Sequence, residues 1–426
     1  MKTEPKAPVG AATVGRHRRA PAGGVHRTGG LREAALYCAK VFLGVRVLMW
    51  VVALVAVAVF PHAPAGGFDS KILGHIPGPV SVPGWPAHAI APGWQNLFTA
   101  WERFDALWYL RIAAHGYASH DGSAAFYPLF PLTVRAVSFV IGGHPLAAGL
   151  LVANGAFLGA LIALYLLTSD ELGEETARGS VLFAAVFPTA FFFVSPYSES
   201  LFLMLAVVTL WTARRGRWEV AGLAGALAAL TRNVGVLLVL PLVVEAVHQA
   251  LERRPWRWPV KPLAWSLAPA AGAGVYLLYW RARVGDWLAP IHQQAGWERK
   301  LANPGFTLLE GTRDAYRFIG IYPGGYHLLD WVVTIPVLAL AVWTSVRLRP
   351  AYAVYVWASI LAPLSFIFTS RPLMSFPRFA LPLFPIFWGA ARLTEGRRVR
   401  RELAVAASAT MLGVLLLLFV AWYYVF

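Results

Sequence analysis

The sequence predicts an all-α, polytopic membrane protein, and three observations carry that reading. Of its 426 residues, 58% are hydrophobic and only 14% are charged, against roughly a quarter charged in soluble domains. Apolar segments of spanning length recur about every 20 to 35 residues along most of the chain. Many of the basic residues sit in short loops between those segments, where the positive-inside rule places them on the cytoplasmic side. The net charge of +16 therefore predicts membrane lipids as neighbours and no nucleic-acid partner. A single cysteine, Cys38, leaves no intrachain disulfide to form.

Residues 1–34 are rich in Gly, Pro, Ala, Arg and His without a hydrophobic period, which predicts a disordered, basic, cytoplasmic tail able to touch anionic headgroups. No cleavable signal peptide is apparent. Residues 35–426 read as one transmembrane domain. Its first span covers about 41–60, with Arg46 near enough to one end to snorkel. The following segment, 61–126, opens with a Pro/Gly/His/Trp run nearly free of Lys and Arg, and so predicts a large external loop. Range 127–141 is apolar but interrupted by Pro128, Pro131 and Arg135, as expected of a surface-lying or partly inserted helix.

Further spans are expected near 144–167, 177–194 and 198–213, with Arg214, Arg215 and Arg217 placing the next loop inside. Ranges 220–230 and 234–247 read as two short helices hinged at Thr231-Arg232-Asn233. One continuous span there would put Arg253, Arg254, Arg257 and Lys261 outside, against the charge rule. Spans near 262–280, 328–346, 351–368, 376–391 and 403–424 bring the expectation to about eleven transmembrane helices, with a second external loop at 281–327. No internal repeat or soluble domain is visible.

Chemistry concentrates in Trp101–Pro131. Glu102, Arg103, Asp105, Arg111, His115, His120 and Asp121 lie there beside Trp101, Trp108, Tyr109, Tyr117 and Tyr127. Apolar residues recur at helical spacing from Trp101 to Ile112, predicting an amphipathic helix at the membrane surface. That helix would set Glu102 and Asp105 on neighbouring parts of one face. A carboxylate so held can take a proton from a sugar hydroxyl or help bind a divalent cation; a solvated face paired to Arg103 or Arg111 explains the residues equally. His115 and Gly116 close the helix, and a capping or exposed histidine accounts for the first.

A second stretch, Phe187–Ser200, reads FPTAFFFVSPYSES and turns externally at Pro196–Ser200. Tyr197 and Glu199 either face the same cavity as Asp105, or Glu199 serves the N-terminus of the next helix. A third is Thr231-Arg232-Asn233. An arginine inside an apolar run is costly unless it is paired or lines a polar cavity, and a lipid-linked phosphate or a carboxylate fits its fork. Arg371 and Arg378, flanking Pro372 and Pro377, form a second candidate phosphate site. No phosphate-cradling G-x-x-x-x-G-K-[ST], cysteine metal set or H-E-x-x-H occurs, so no nucleotide-driven motor and no metal site is predicted.

Taken in order, FDALWYLRIAAHGY, FYPLFPLTVR, FPTAFFFVSPYSESLFL and ALTRNVGVLLVLPLVVE resemble the PIG-V-like mannosyltransferases, integral-membrane glycosyltransferases of the GT-C fold, over roughly Trp101–Glu245. The resemblance implies a sugar donor, mannose being expected, carried on a polyprenyl phosphate. It also implies inverting transfer to a hydroxyl of a glycan, lipid or protein acceptor on the extracytoplasmic side of the plasma membrane. The family's acid matches Asp105, expected as the catalytic base. Its Tyr-Ser-Glu turn matches Tyr197, Ser198 and Glu199, and its Thr-Arg pair matches Thr231 and Arg232. Glu102, Tyr109, Arg111, His115, Tyr127 and Arg378 are further candidate substrate-binding residues. The family has Trp before the acid where this chain has Phe104, which keeps an aromatic. Dependence on a divalent cation stays open. Of the rival readings, a transporter would favour inverted repeats and polar groups at the midplane, whereas the acids here gather in external loops. A non-catalytic flippase of lipid-linked sugar could share the aromatic loop.

Overall fold

A computed structural model of the chain describes residues 28–59, 96–119, 121–253, 255–293, 299–320 and 325–421. Helices dominate, and the one sheet among the described residues is a two-stranded antiparallel ribbon pairing Arg299–Leu301 with Phe366–Phe368. Among the described residues, five helical runs are long and apolar enough to cross a membrane: Gly30–Val59, Pro145–Leu172, Asn233–Glu252, Tyr326–Arg347 and Arg398–Val420. Leu129–Val140, Trp218–Thr231 and Pro350–Leu364 are apolar but shorter. The expected class, all-α and polytopic, holds.

The differences from expectation are helix boundaries, and prolines explain most of them. The expected span at 177–194 is divided into a helix, Glu174–Ala185, and a 3-10 turn, Ala190–Phe193. Pro188 disfavours helical backbone at Phe187 and donates no hydrogen bond. Range 262–280 becomes Val260–Ser266 and Ala268–Val284, with Pro269 in the opening turn of the second. Range 376–391 becomes a one-turn helix, Phe376–Phe379, and Phe384–Thr394, parted around Pro382. The 351–368 span stops at Leu364, and Phe366–Phe368 enters the ribbon instead. At the start, helix begins at Thr28, inside the stretch assigned to the tail; residues 1–27, like much of the first external loop, lie outside the described residues.

A short helix does occupy the 127–141 stretch, and the hinge expected at Thr231-Arg232-Asn233 is present. Leu129–Val140 is a helix of 12 residues whose last positions, Phe139 and Val140, are 87% and 81% exposed. The hinge is real too. Trp218–Thr231 ends at Arg232, whose backbone is extended (φ −152°, ψ 148°), and a 3-10 turn over Asn233–Leu238 leads into Val239–Glu252.

Lipid tails are as apolar as leucine, so helices in a bilayer associate through close packing and small residues rather than expulsion from water. Gly272 shows how tight this is. A Cβ there would stand 2.4 Å from the Ala226 carbonyl oxygen, which lets Ala268–Val284 lie against the backbone of Trp218–Thr231. Arg46 departs from expectation. Rather than snorkelling, it is buried, donating from Nε to Asn154 Oδ1 at 2.7 Å and from Nη2 to the Phe193 carbonyl at 3.1 Å. Its guanidinium lies 4.8 Å from the ring centroids of both Phe42 and Phe157. Asn154 in turn donates to the Val194 carbonyl at 3.2 Å, so first helix, second long helix and 3-10 turn are tied together.

Charges close the bundle differently at its two ends. Around the C-termini of Pro145–Leu172, Glu199–Arg214 and Val239–Glu252, Arg214 joins Glu171 (2.5 Å) and Glu245 (3.0 Å), and Arg349 joins Glu252 at 3.2 Å. The opposite end, at the N-terminus of Glu199–Arg214 and the C-terminus of Trp218–Thr231, holds the cluster described next.

Candidate active site

The Asp105–His115 helix starts at Asp105 and not earlier, because Phe104 has a left-handed φ of 52° that breaks the run. For a bulky side chain this is strained backbone. Two hydrogen bonds hold it. The Tyr197 hydroxyl donates to the Arg103 carbonyl at 2.9 Å and accepts from the Asp105 amide at 3.1 Å, clasping Phe104 from both sides. The Phe104 ring packs on Phe419, 5.6 Å between centroids. Asp105 thus occupies a fixed helix N-terminus. Eight of the helix's 11 residues are buried, so the helix is enclosed by protein rather than laid along a surface as its periodicity suggested.

Asp105 meets three other parts of the chain through one arginine. Arg378, on the short Phe376–Phe379 helix, donates from Nη1 to Asp105 Oδ2 and from Nε to Glu199 Oε1, both at 2.5 Å. Its guanidinium also lies 4.6 Å from the Tyr197 ring centroid. Glu199, the first residue of its helix, accepts a second hydrogen bond from Arg232 Nη1. Arg232 Nη1 reaches Ser198 Oγ at 3.4 Å, and Ser198 Oγ shares a hydrogen bond of 2.8 Å with the Tyr109 hydroxyl. Four sequence-distant segments therefore converge on two carboxylates and two guanidinium groups.

The two carboxylates differ in access. The Asp105 side chain is 30% exposed, whereas Glu199 is fully buried. Glu199 Oε2 and Arg232 Nε are buried with no hydrogen-bond partner among the described residues, an arrangement that costs free energy unless something else meets them. Arg232 also lines a small cleft, about large enough for one water molecule, with Phe202, Val234, Tyr355, Phe379 and Leu383. Its guanidinium fork can meet an anion such as a phosphate.

Of the sequence-selected residues, Asp105, Tyr109, Tyr197, Ser198, Glu199, Arg232 and Arg378 are brought together. The others are not. Glu102 precedes the helix, so it shares no helix face with Asp105. It is buried beside Arg103, and burial pushes its carboxyl up to about 7 while Arg103 pulls the other way. Burial likewise lowers the Arg103 guanidinium to about 9. Arg103 donates to the backbone carbonyls of Thr99 (2.6 Å) and Val420 (3.0 Å). Arg111 pairs with Asp121 at 2.6 Å, and His115 ends the helix exposed. Tyr127 packs on Tyr276 in a tilted contact, 4.8 Å between centroids, in a separate aromatic cluster. Arg371 is closed onto buried Asp330, with contacts of 2.6 and 2.8 Å. His120 lies outside the described residues. Among the described residues no group of three or more His, Cys, Asp or Glu side chains gathers in a way that could hold a metal ion. Sequence reasoning did not find Phe379 and Arg299, which flank the cluster; neither carries a motif or a periodic signal.

Fold and site together define an integral-membrane protein with a charged cluster at the edge of an apolar cleft. Residues 38–255, just over half of the chain, match the model of the family described as mannosyltransferase (PIG-V), and the chain belongs to that family. It is similar to mouse (Mus musculus) GPI alpha-1,6-mannosyltransferase 2, with 31% identity over 156 residues, 34% of this chain and 31% of the relative. The match thus spans about a third of that relative's length. Among solved structures it is similar to ArnT from Cupriavidus metallidurans bound to undecaprenyl phosphate, at a TM-score of 0.44 and 14% identity over 90% of this chain and 77% of that one. It is also similar to the Archaeoglobus fulgidus oligosaccharyltransferase in complex with zinc and sulfate, at a TM-score of 0.39 and 12% identity over 88% of this chain and 53% of that one.

Proposed function

We propose that the protein is an inverting glycosyltransferase of GT-C type in the plasma membrane. It moves a sugar, mannose, from a polyprenyl-phosphate carrier to a hydroxyl acceptor on the extracytoplasmic side. Membership of the mannosyltransferase family supports the reaction class. The observation that carries the mechanism is the linkage of Asp105 and Glu199 through Arg378, with Arg232 beside the apolar cleft.

Asp105 is the general base. It is the cluster's accessible carboxylate, so an acceptor hydroxyl can reach it, and Tyr197 with Arg378 fixes its position. It accepts the hydroxyl proton as the acceptor oxygen attacks the anomeric carbon. The bond from that carbon to the phosphate oxygen breaks, and the polyprenyl phosphate departs with the electron pair. Arg232 stabilises the developing charge, its unpartnered Nε being a ready donor. Glu199 holds both guanidinium groups in place. The lipid phosphate is itself the leaving group, so the reaction takes no nucleotide.

The test is sugar transfer by purified protein in lipid from polyprenyl-phosphate mannose to a panel of glycan, lipid and peptide acceptors. Wild type should transfer, and Asp105→Asn, matched for thermal stability, should lose about 10²–10⁴-fold. Equal transfer by both would remove Asp105 as base. Movement of the labelled lipid across the bilayer without any transfer would instead mark a flippase.

A further inference from the structure

We infer that Arg103 is a positioning residue for the catalytic base, tying the strained backbone at Phe104 to the last turn of the Arg398–Val420 helix. This rests on the reading of Asp105 as the general base, and it gives a role to a helix outside the residues that match the family.

The argument begins with two helix ends. The last carbonyls of a helix have no partner within it, and a cation beside the C-terminus of a long helix is further favoured by the dipole. Arg103 meets two such ends at once. Its Nε donates at 3.0 Å to the carbonyl of Val420, the final residue of Arg398–Val420. Its Nη1 donates at 2.6 Å to the carbonyl of Thr99, the final residue of Asn96–Thr99. Along the chain 317 residues separate Arg103 from Val420. The side chain is buried, and a rigid, planar fork satisfies both carbonyls from one orientation only. The end of the distant helix thereby fixes residue 103.

The same turn supports the next residue. Phe419 packs on Phe104 at 5.6 Å between centroids, on Phe191 at 4.8 Å and on Phe192 at 5.5 Å, and its ring lies 6.4 Å from that of Tyr197. Tyr197 in turn donates to the Arg103 carbonyl and accepts from the Asp105 amide. A left-handed φ at a residue as bulky as Phe104 persists only where the surroundings over-determine it. Here residue 103 is held by its guanidinium, 104 by its ring and 105 by its amide. Arg103 and Phe419 are two halves of one strut, and Asp105, directly after the strained residue, shifts when either half is removed.

The experiment measures sugar transfer from polyprenyl-phosphate mannose by full-length variants in nanodiscs, using the same acceptor panel and expressing rates per folded molecule. Arg103→Met should lower kcat about tenfold with donor KM little changed, because displacing a reacting group costs rate rather than donor affinity. Arg103→Lys, whose ammonium still reaches a carbonyl, should fall between that variant and wild type. Phe419→Leu should lose a similar factor in kcat, and the two changes combined should lose little more than either alone, as parts of one contact path do. If Arg103→Met does not fold, Arg103→Lys completes the same cycle. Leu412→Ala, equally buried about two turns earlier in the same helix, should leave kcat unchanged. Wild-type kcat in Arg103→Met or Phe419→Leu, losses that multiply in the double variant, or an equal loss in Leu412→Ala would each overturn the assignment. With Asp105→Asn still inactive, those results would leave the base reading standing. Asp105→Asn that transfers like wild type, or wild type that transfers to no acceptor, would bring down that reading and the positioning role with it.

Discussion

Arg371 and Arg378 lie in one stretch between the ribbon and the Phe384–Thr394 helix, yet they are held in opposite ways. Arg371 turns two nitrogens onto a single carboxylate, Asp330, which is fully buried. Arg378 divides its fork between two carboxylates from different segments, one of them 30% exposed. The first is a buried pair, with the Tyr326 ring centroid 5.1 Å from its guanidinium. The second is an open junction, one of whose carboxylates reaches the surface. Both arginines looked alike in sequence, each beside a proline, and only the three-dimensional partners separate them.

That contrast can be broken experimentally. Arg378→Gln should lower sugar transfer by about 10³-fold, as loss of a preorganised electrostatic group does, with a much smaller change in melting temperature. Arg371→Gln should do the reverse. It leaves Asp330 as an uncompensated buried charge, destabilising by about 3–5 kcal/mol, while activity per folded molecule stays near wild type. Parallel losses of activity in both variants would erase the distinction.

Tyr197→Phe sharpens the same point at smaller scale. It removes the clasp on Phe104 and should reduce kcat about tenfold through misplacement of Asp105, with donor KM little changed. A kcat equal to wild type would show that the strained backbone holds Asp105 unaided.

The smallest effect concerns Glu102, outside the cluster. Its folded-state carboxyl titrates near 7, above the ordinary carboxylate range, so the folded protein holds that proton more tightly than the unfolded chain does. Stability from this group is present at acid pH and is lost as pH rises through about 7. Melting temperature measured from pH 5 to 8 should therefore fall in wild type, and the slope should flatten in Glu102→Gln. A slope identical in both would assign the dependence elsewhere.

Much of the fold and site was legible because the signals were local. Apolar length and loop charge disclosed the membrane class, and Arg232 within an apolar run announced its own hinge. Asp105, Tyr197, Ser198 and Glu199 sit in motifs whose residue types fit the chemistry. Legibility failed where a long-range partner or one backbone angle decided the outcome. Helical periodicity running through Trp101 placed Glu102 beside Asp105, but the positive φ at Phe104 restarts the helix one residue later. Arg111 looked available until Asp121 met it. A three-residue strand is too short to show alternation, so the ribbon of Arg299–Leu301 with Phe366–Phe368 left no trace in the pattern.

The burial of Arg46 bears on how the protein is made. A membrane helix is inserted soon after it is synthesised, and an arginine within it adds about 2.5–3.5 kcal/mol to that step at mid-bilayer. Its hydrogen-bond acceptors, Asn154 Oδ1 and the Phe193 carbonyl, lie 108 and 147 residues further along the chain. Until those segments are translated, the guanidinium has partners on its own helix alone, Met49 Sδ at 3.3 Å and the Phe42 ring. The final seating of this helix is thereby coupled to the Ala190–Phe193 turn, which immediately precedes the stretch carrying Tyr197 and Glu199.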